Sequence, residues 1–595
     1  MNLIRYFTLT AFLLTLVLTS DADEYIIPDT NIRLVYEISG EPEVATITYC
    51  YPDASGDLEI PHILGGAPVT EIGFIAFSRQ SLLTSITIPD SVVTIGNNAF
   101  KNCNSVNSLT IGNGVLFIGD YAFQSCYDLK NIIVGTSVIT IGNWAFKDCT
   151  MLTSITIPSS VSYVGPRAFF NCKSMINFEV DTSNTNYSSD DGVLFDKSLI
   201  KLLAYPQGKD ATSYSIPNSV TSIGDLAFYK CVSLRSISIP DGTMSIGYRA
   251  FYNCPKLGEI IIPDSVVTIG ESSFSYCYSL KNVIIGEGVT SIGDSSFSAC
   301  SSLDMVTIGG SVKTIGNSAF GGTSLANIII PDSVETIGDG AFSGCESLMN
   351  VIIGKGVRTI GEQAFVTCIS LINVSIPNSV ETIGEEAFSF CDALKNISIG
   401  DSVTEIGDGA FSDCELLESI LIPNNVTSIG SSVFYNCSSL VSAIFEGDAA
   451  TLGHSAFQYT ASNFIIYFYE GATEFTEPMW EGYSAEMLPL AADRDSDGWT
   501  NRLERAFGSD PVGESNHLQV WLSRNDDKMQ ISYGPHSDKV SFTIKATSDL
   551  SFPADLWPSI DGLSFSGDDS VQAADLPALD DGRMFYRIEM TEKAE

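Results

Sequence analysis

Between about residues 69 and 460, apolar residues return at the same eight places of a 23-residue unit. In the copy LTSITIPDSVVTIGNNAFKNC these are Leu83, Ile86, Ile88, Val92, Ile95, Ala99, Phe100 and Cys103. Ile86 and Ile88 alternate with polar Ser85 and Thr87, which predicts a short strand with one buried face. Pro89, or Gly135 and Gly286 in other copies, ends that strand and turns the chain. V-x-x-I-G predicts a second short extended run, with Gly96 at a corner that a Cβ would crowd. A-F-x-x-C predicts a single helical turn or 3₁₀ segment that returns the chain to the next strand.

Aligned on Ile-Gly, or on Val164-Gly165 and Leu452-Gly453, the first residue of the pair falls at 72, 95, 118, 141 and 164. It returns at 223, 246, 269, 292 and 315, then at 337, 360, 383, 406, 429 and 452. A period of this size means stacked supersecondary units, because one unit cannot bury its own apolar face. Stacking pairs the strands in parallel at about 4.8 Å per coil, so sixteen coils span roughly 75 to 80 Å. The single 22-residue step lies at GGTSL, 321 to 325, where Thr323 replaces the usual Cys, and reads as a one-residue loop deletion. The gap from 164 to 223 holds Asp191-Gly192 between two apolar runs, which predicts a strand pair.

The pattern L-x-x-I-x-I-P-x-x-V-x-x-I-G-x-x-A-F-x-x-C resembles the repeat of BspA-type leucine-rich proteins. That resemblance implies a leucine-rich repeat solenoid of 23-residue coils, curved, with a parallel β-sheet on one face. It implies that residues 174 to 210 are a hairpin insertion projecting from the stack. Members of the family are typically bacterial or protist surface and secreted proteins, and several are adhesive.

Thirteen of the fourteen cysteines fall in one column, and Cys50 alone stands outside it. A nucleophile needs one thiol beside a base, but these thirteen are equivalent, and His62, His454, His517 and His536 cannot serve them. No C-x-x-C pair offers zinc a site. Two readings remain: disulfides between adjacent coils, or buried free thiols packed as small hydrophobes. The second is favoured, since in-register side chains point the same way. No Ser/His/Asp set or Gly-rich phosphate loop stands out, so an enzyme is not expected.

A formal charge of −41 argues against nucleic acid, whose binding needs Lys and Arg on phosphates. Arg5, the apolar run Phe7 to Leu18, and Ser20 with Ala22 predict a secretory signal cleaved after Ala22. No other segment is long and apolar enough to span a bilayer, and export is expected. The solvent side of the strands offers a column of Ser, Asn and Glu around Met305. A second column mixes Thr and Ser with Ile133, Ile261, Ile284 and Ile352. Neither contains the Trp, Tyr or Arg that favour hot spots. The expected contacts therefore come from a broad face or from the insertion, with Tyr187, Tyr205 and the loop 181 to 191 as candidates.

After the stack, 463 to 490 breaks period as a cap should, as 23 to 68 does before it. DRDSDGWTNRLE then satisfies the D-x-D-x-D-G-x₅-E spacing of a calcium loop. Asp493, Asp495, Asp497 and Glu504 supply carboxylates, Trp499 its carbonyl, and Asn501 the water-bridging position, around one Ca²⁺. No entering helix precedes the loop, so it looks like the single loops of thrombospondin type 3-like or dockerin-like sequences. Its expected role is structural stiffening between domains, at the junction 491 to 511. From 512 to 595 the runs LQVWL, KMQISY, KVSFTIKA and RMFYRIEM predict a small β-sandwich-like domain. The expected molecule is a monomeric secreted or cell-surface solenoid that binds an extracellular protein or glycan. The alternative is a spacer that displays its last domain.

Overall fold

A computed structural model describes residues 22–489 and four later strands, Gln519–Asn525, Lys528–Gly534, Val540–Ala546 and Tyr586–Glu592. Residues 1–21 of the expected signal and all of 491–511 lie outside the described residues. The chain divides into two units, one reaching Ile466 and including Glu481–Tyr483, the other holding Tyr467–Trp480 and everything from Ser484 on.

In the first unit each coil supplies two strands, and copies of each pair in parallel. The I-x-I runs pair in register, as in Ile260 with Val283 and Ile262 with Ile285. They form short separate sheets of two to four such strands. The longest ladder belongs instead to the two-residue runs before the glycine. From Ser222–Ile223 on they supply eleven strands of one fourteen-stranded sheet that ends at Thr451–Leu452, Ile stacked on Ile as at Ile246, Ile269 and Ile292, while those from Thr94 to Val164 belong to a separate nine-stranded sheet. The apolar columns are almost wholly removed from water. Between them the phenylalanines stack face to face, ring centroids 5.2 Å apart at Phe100 and Phe123 with planes 1° from parallel.

The turn A-F-x-x-C is not helical. Ala99, Lys101 and Cys103 donate to carbonyls three residues back, as a 3₁₀ turn would. The N–H groups between them leave the coil: Asn98, Phe100 and Asn102 donate to Asp120, Ala122 and Gln124 of the next one at 2.7–2.8 Å. Two left-handed residues, Asn98 at φ 57° and Asn102 at φ 63°, rotate those alternate N–H groups outward. Equivalent places hold Tyr121, Trp144, Leu226 and Phe390, none of them residues that favour this region. Bonds to both neighbouring coils hold them there.

The glycine of Ile-Gly has no positive φ; what it provides is clearance. A Cβ on Gly270 would lie 2.6 Å from the Gly247 carbonyl carbon and 2.7 Å from its oxygen. Both are backbone atoms, so the coils would have to separate. Gly270→Ala is expected to cost about 1–3 kcal/mol in denaturant unfolding, in the range of overpacked cores. Gly258→Ala is the control, because its Cβ would meet nothing closer than 3.7 Å, and it should be near neutral. Equal stability of the two variants would refute the clearance argument.

At the 22-residue step the ladder stays in register, Ile315 opposite Ile337. The missing residue is absorbed after Phe320, where Gly322 takes φ +67° and buried Thr323 bonds the Cys345 sulfur. At the N-terminal end the antiparallel strands Asp23–Ile26, Arg33–Ser39 and Val44–Cys50 lead into the ladder, the last pairing in parallel with Ala67–Ile72. Gln80 holds the place that cysteine takes in later coils, and its amide donates to the carbonyls of Cys50 and Tyr51. At the other end of the stack Tyr483 packs edge-on to Phe457, and its hydroxyl accepts the Phe457 N–H.

The insertion does not project. Val193, Leu194 and Phe195 are buried in the core, and Lys201–Ala204 pairs in parallel with Ser222–Ile223 as a member of the ladder. Asn184 ties the loop 181 to 191 down, its buried amide donating to the carbonyls of Pro158 and Val161. The apolar run VLF buries more surface inside the stack than it could on an outward arm, which is why the hairpin folds in.

In the second unit Phe468 stacks on Phe475 at 4.5 Å, and Phe475 packs against Trp480. The four later strands form one antiparallel sheet in chain order, with Trp521 opposite Ser532 and Phe542 opposite Met590. Among the described residues no helix is long and apolar enough to cross a membrane.

Candidate interaction site

All fourteen cysteines are free and buried. Twelve of the thirteen in the column point their thiols at the carbonyl of a phenylalanine in the preceding coil, 3.1 to 3.4 Å away. Burial pushes the Cys126 and Cys172 thiols up to about 12. They are inert packing groups at neutral pH, since reactivity needs the thiolate. The exception is Cys231, the first cysteine after the insertion, where Tyr205 stands in place of that phenylalanine.

The sheet face of the I-x-I strands is less polar than its composition suggests. Ile133, Ile261, Ile284, Met305, Ile329 and Ile352 stand 47% to 65% exposed. Ile261 lies opposite Ile284 in one short sheet and Ile329 opposite Ile352 in the next, while Met305 stands in the neighbouring column opposite Asn282. Beside it Asn350 donates its side-chain amide to Asn327, and Asn396 to Asn373. Two short sheets thus present exposed isoleucine pairs beside paired asparagine amides.

The second feature is a seam. Between the coil ending at Cys172 and the one opening at Gly224, the ladder of A-F-x-x-C turns is broken. A cavity of about 480 Å³ occupies the break, lined by the turn Gly165–Phe170, by Trp144 and Phe178, and by Tyr205, Gln207 and Tyr229 across from them. Tyr205 takes the place of a stack phenylalanine, its ring 5.0 Å from Phe228 and its N–H on the Ala227 carbonyl. Gln207 imitates the next turn donor, its side-chain amide reaching the Tyr229 carbonyl at 2.7 Å. Phe170 meets Tyr229 at 4.4 Å across the break. Arg167 lies over Trp144, 4.9 Å from its ring centre.

The family model for the BspA-type leucine-rich repeat region matches residues 70–191, 200–326, 313–416 and 359–484. The chain belongs to this family. No protein with a curated description matches it. Among solved structures, this BspA-type chain is similar to a leucine-rich repeat protein from Bacteroides ovatus. The two are 24% identical with a TM-score of 0.42, over 78% of this chain and 99% of that one. It is also similar to a leucine-rich cell surface protein from Faecalibacterium prausnitzii, 24% identical with a TM-score of 0.34, over 64% and 96%. The pneumococcal vaccine antigen PcpA is 18% identical with a TM-score of 0.35, over 72% and 94%.

In this BspA-type chain the expected contact residues part company. Tyr205 lines the seam, whereas Tyr187 closes the edge of the sheet that ends at Val164, its hydroxyl accepting the Val164 N–H at 2.8 Å. The loop 181 to 191 is anchored to the stack through Asn184, with Asp181, Thr182, Ser183, Thr185 and Asn186 exposed. The expected calcium ligands Asp493, Asp495, Asp497, Trp499, Asn501 and Glu504 lie outside the described residues. Missed in the sequence were Arg167, Phe169 and Gln207. Their signal was Pro166, which stands where most coils have Asn, Asp or Glu after the glycine, together with a tyrosine in the phenylalanine column.

Proposed function

We propose that this is a secreted or cell-surface repeat protein that binds extracellular protein or glycan partners, without catalysis of its own. The observation that carries the reading is the exposed isoleucine pairs Ile261 with Ile284 and Ile329 with Ile352, on two neighbouring short sheets, with Met305 exposed on the strand between them. Exposed apolar surface held in a fixed geometry by polar neighbours marks interaction sites. Membership of a family whose members are typically surface and secreted proteins supports the location. The test is a binding screen against extracellular proteins and glycans, with Ile284→Asp/Ile329→Asp beside the unaltered protein. Removing 174 to 210 is unsuitable, because that segment is part of the ladder. Capture that the double variant abolishes, with unchanged melting, supports the reading. Capture of no protein or glycan by either form favours a spacer.

The reading includes one Ca²⁺ held by Asp493, Asp495, Asp497, the Trp499 carbonyl, Asn501 and Glu504, bracing the chain before a small terminal β module used for attachment. Calorimetric titration of the mature protein is expected to show saturable binding that Asp495→Asn/Asp497→Asn removes. Calcium at a hundred times its Kd should stabilise the braced segment by about 2.7 kcal/mol. Heat-neutral titrations of both proteins at millimolar calcium would make 493 to 504 an acidic linker.

A further inference from the structure

We propose that the seam is a peptide-binding slot that takes an extended segment of a partner protein with an acidic side chain. In every intact pair of coils, alternate turn N–H groups donate to the carbonyls of the next coil, as Asn98, Phe100 and Asn102 do. At the seam the equivalent groups are those of Arg167, Phe169 and Asn171, and none has an acceptor among the described residues. Three donors two residues apart are complementary to alternate carbonyls of another polypeptide. A sugar offers no such spacing. The slot lacks one coil's turn, and a partner's backbone would supply it, as an added strand completes a sheet edge.

The opposite wall carries a second, independent set of unmet groups. The Tyr205 hydroxyl, on a residue 4% exposed, has no hydrogen-bond partner among the described residues, nor does Gln207 Oε1. A buried polar atom left unpaired costs stability, and a bound chain would recover that cost. The volume, about 480 Å³, is within the range of ligand sites. Charge selects the peptide. In a chain of net charge −41, two of the three charged residues lining the slot, Arg167 and Lys201, are cations without a carboxylate partner among the described residues. Asp225 is the one carboxylate. An aspartate or glutamate in the guest would reach the Arg167 guanidinium, held over Trp144.

The inference does not rest on the sheet-face reading. It is tested on the full chain by hydrogen exchange, with acetylated, amidated hexapeptides carrying aspartate at each position in turn as probes. Exchange at Arg167, Phe169 and Asn171 should slow on peptide addition, while Asn98, Phe100 and Asn102 stay unchanged. Tyr205→Phe restores the residue the stack uses elsewhere, so it should fold, yet bind about tenfold more weakly. Arg167→Gln should weaken acidic probes about tenfold and leave neutral ones within about twofold. The proposal fails if no probe slows exchange at millimolar concentration, or if both variants bind as the parent does. Protection of the same amides by oligosaccharides in place of peptides would also overturn it.

Discussion

Raised from about pH 8 to 11 in reducing buffer, the repeat stack is expected to lose stability steeply and unfold. The cause is the thiol column. An unfolded cysteine ionises near 8.5, whereas burial pushes Cys50, Cys126, Cys172 and Cys437 up to about 12. Between those values the unfolded chain has released protons that the folded chain retains. The free energy of unfolding therefore falls as pH rises. The thiols' contribution is whole below about 8.5 and drains away on the approach to 12. Each thiol contributes about 1.4 kcal/mol per pH unit in that window, so these four alone give about 5.5. The other column thiols that burial raises, such as Cys149 and Cys414, act in the same direction. Circular dichroism across this range, with denaturant midpoints at each pH, measures the slope. Cys126→Ala/Cys172→Ala/Cys437→Ala should flatten it by about three thiols' worth. A midpoint that does not move between pH 8 and 11 would show that the folded stack accepts thiolates, and the column would not be sealed.

Much of this architecture is legible in one unit of sequence, because the constraint on each place is local and repeats. Phe100 must stack on Phe77 and Phe123, Gly96 must clear Gly73, and Cys103 must fit beside Phe77. Any copy that failed would open the ladder, so the columns show themselves. What was not legible depends on which partner a backbone group chooses. Gly96 to Cys103 has the i→i−3 bonds of a 3₁₀ turn, and nothing in A-F-x-x-C says that every second N–H belongs to the next coil. The left-handed residues carry no compositional mark either. Trp144 and Leu226 hold that geometry at a cost of roughly 1–2 kcal/mol each, which bonds across coils offset.

The seam was hidden for a related reason. A hairpin reads the same in sequence whether it projects or folds in, since DG and two apolar runs specify only the turn. Its fate is decided by a stack that already exists on either side. There Lys201–Ala204 finds an edge to join, while the turn at 165 to 172 is left without a neighbour. The candidate site thus arises where the period fails, at the one place where periodicity gives no information.

Phe274→Ala at mid-stack is expected to cost about 3–5 kcal/mol, the range for emptying a buried aromatic position. Phe274 is wholly buried, with Phe251 stacked on one side at 4.9 Å and Phe297 on the other at 5.2 Å. Removing the ring leaves those two without their shared neighbour. The coils cannot close the gap, because Phe274 N–H bonds the Ser296 carbonyl at 2.7 Å and Ile269 pairs with Ile292. The backbone ladder that gives the stack its rigidity therefore holds the cavity open. Ser85→Ala is the contrast: its hydroxyl donates to the exposed carboxylate of Asp57, and the loss should be a small part of the Phe274 effect. Thermal and denaturant unfolding of both variants decides the matter. In a stack, stability is a sum of coils and their interfaces, so the Phe274 variant should also break first at its own coil. Hydrogen exchange would then show amides of 270 to 300 opening before those at either end. Equal losses for the two substitutions, or uniform opening along the stack, would mean that the rings are not what binds one coil to the next.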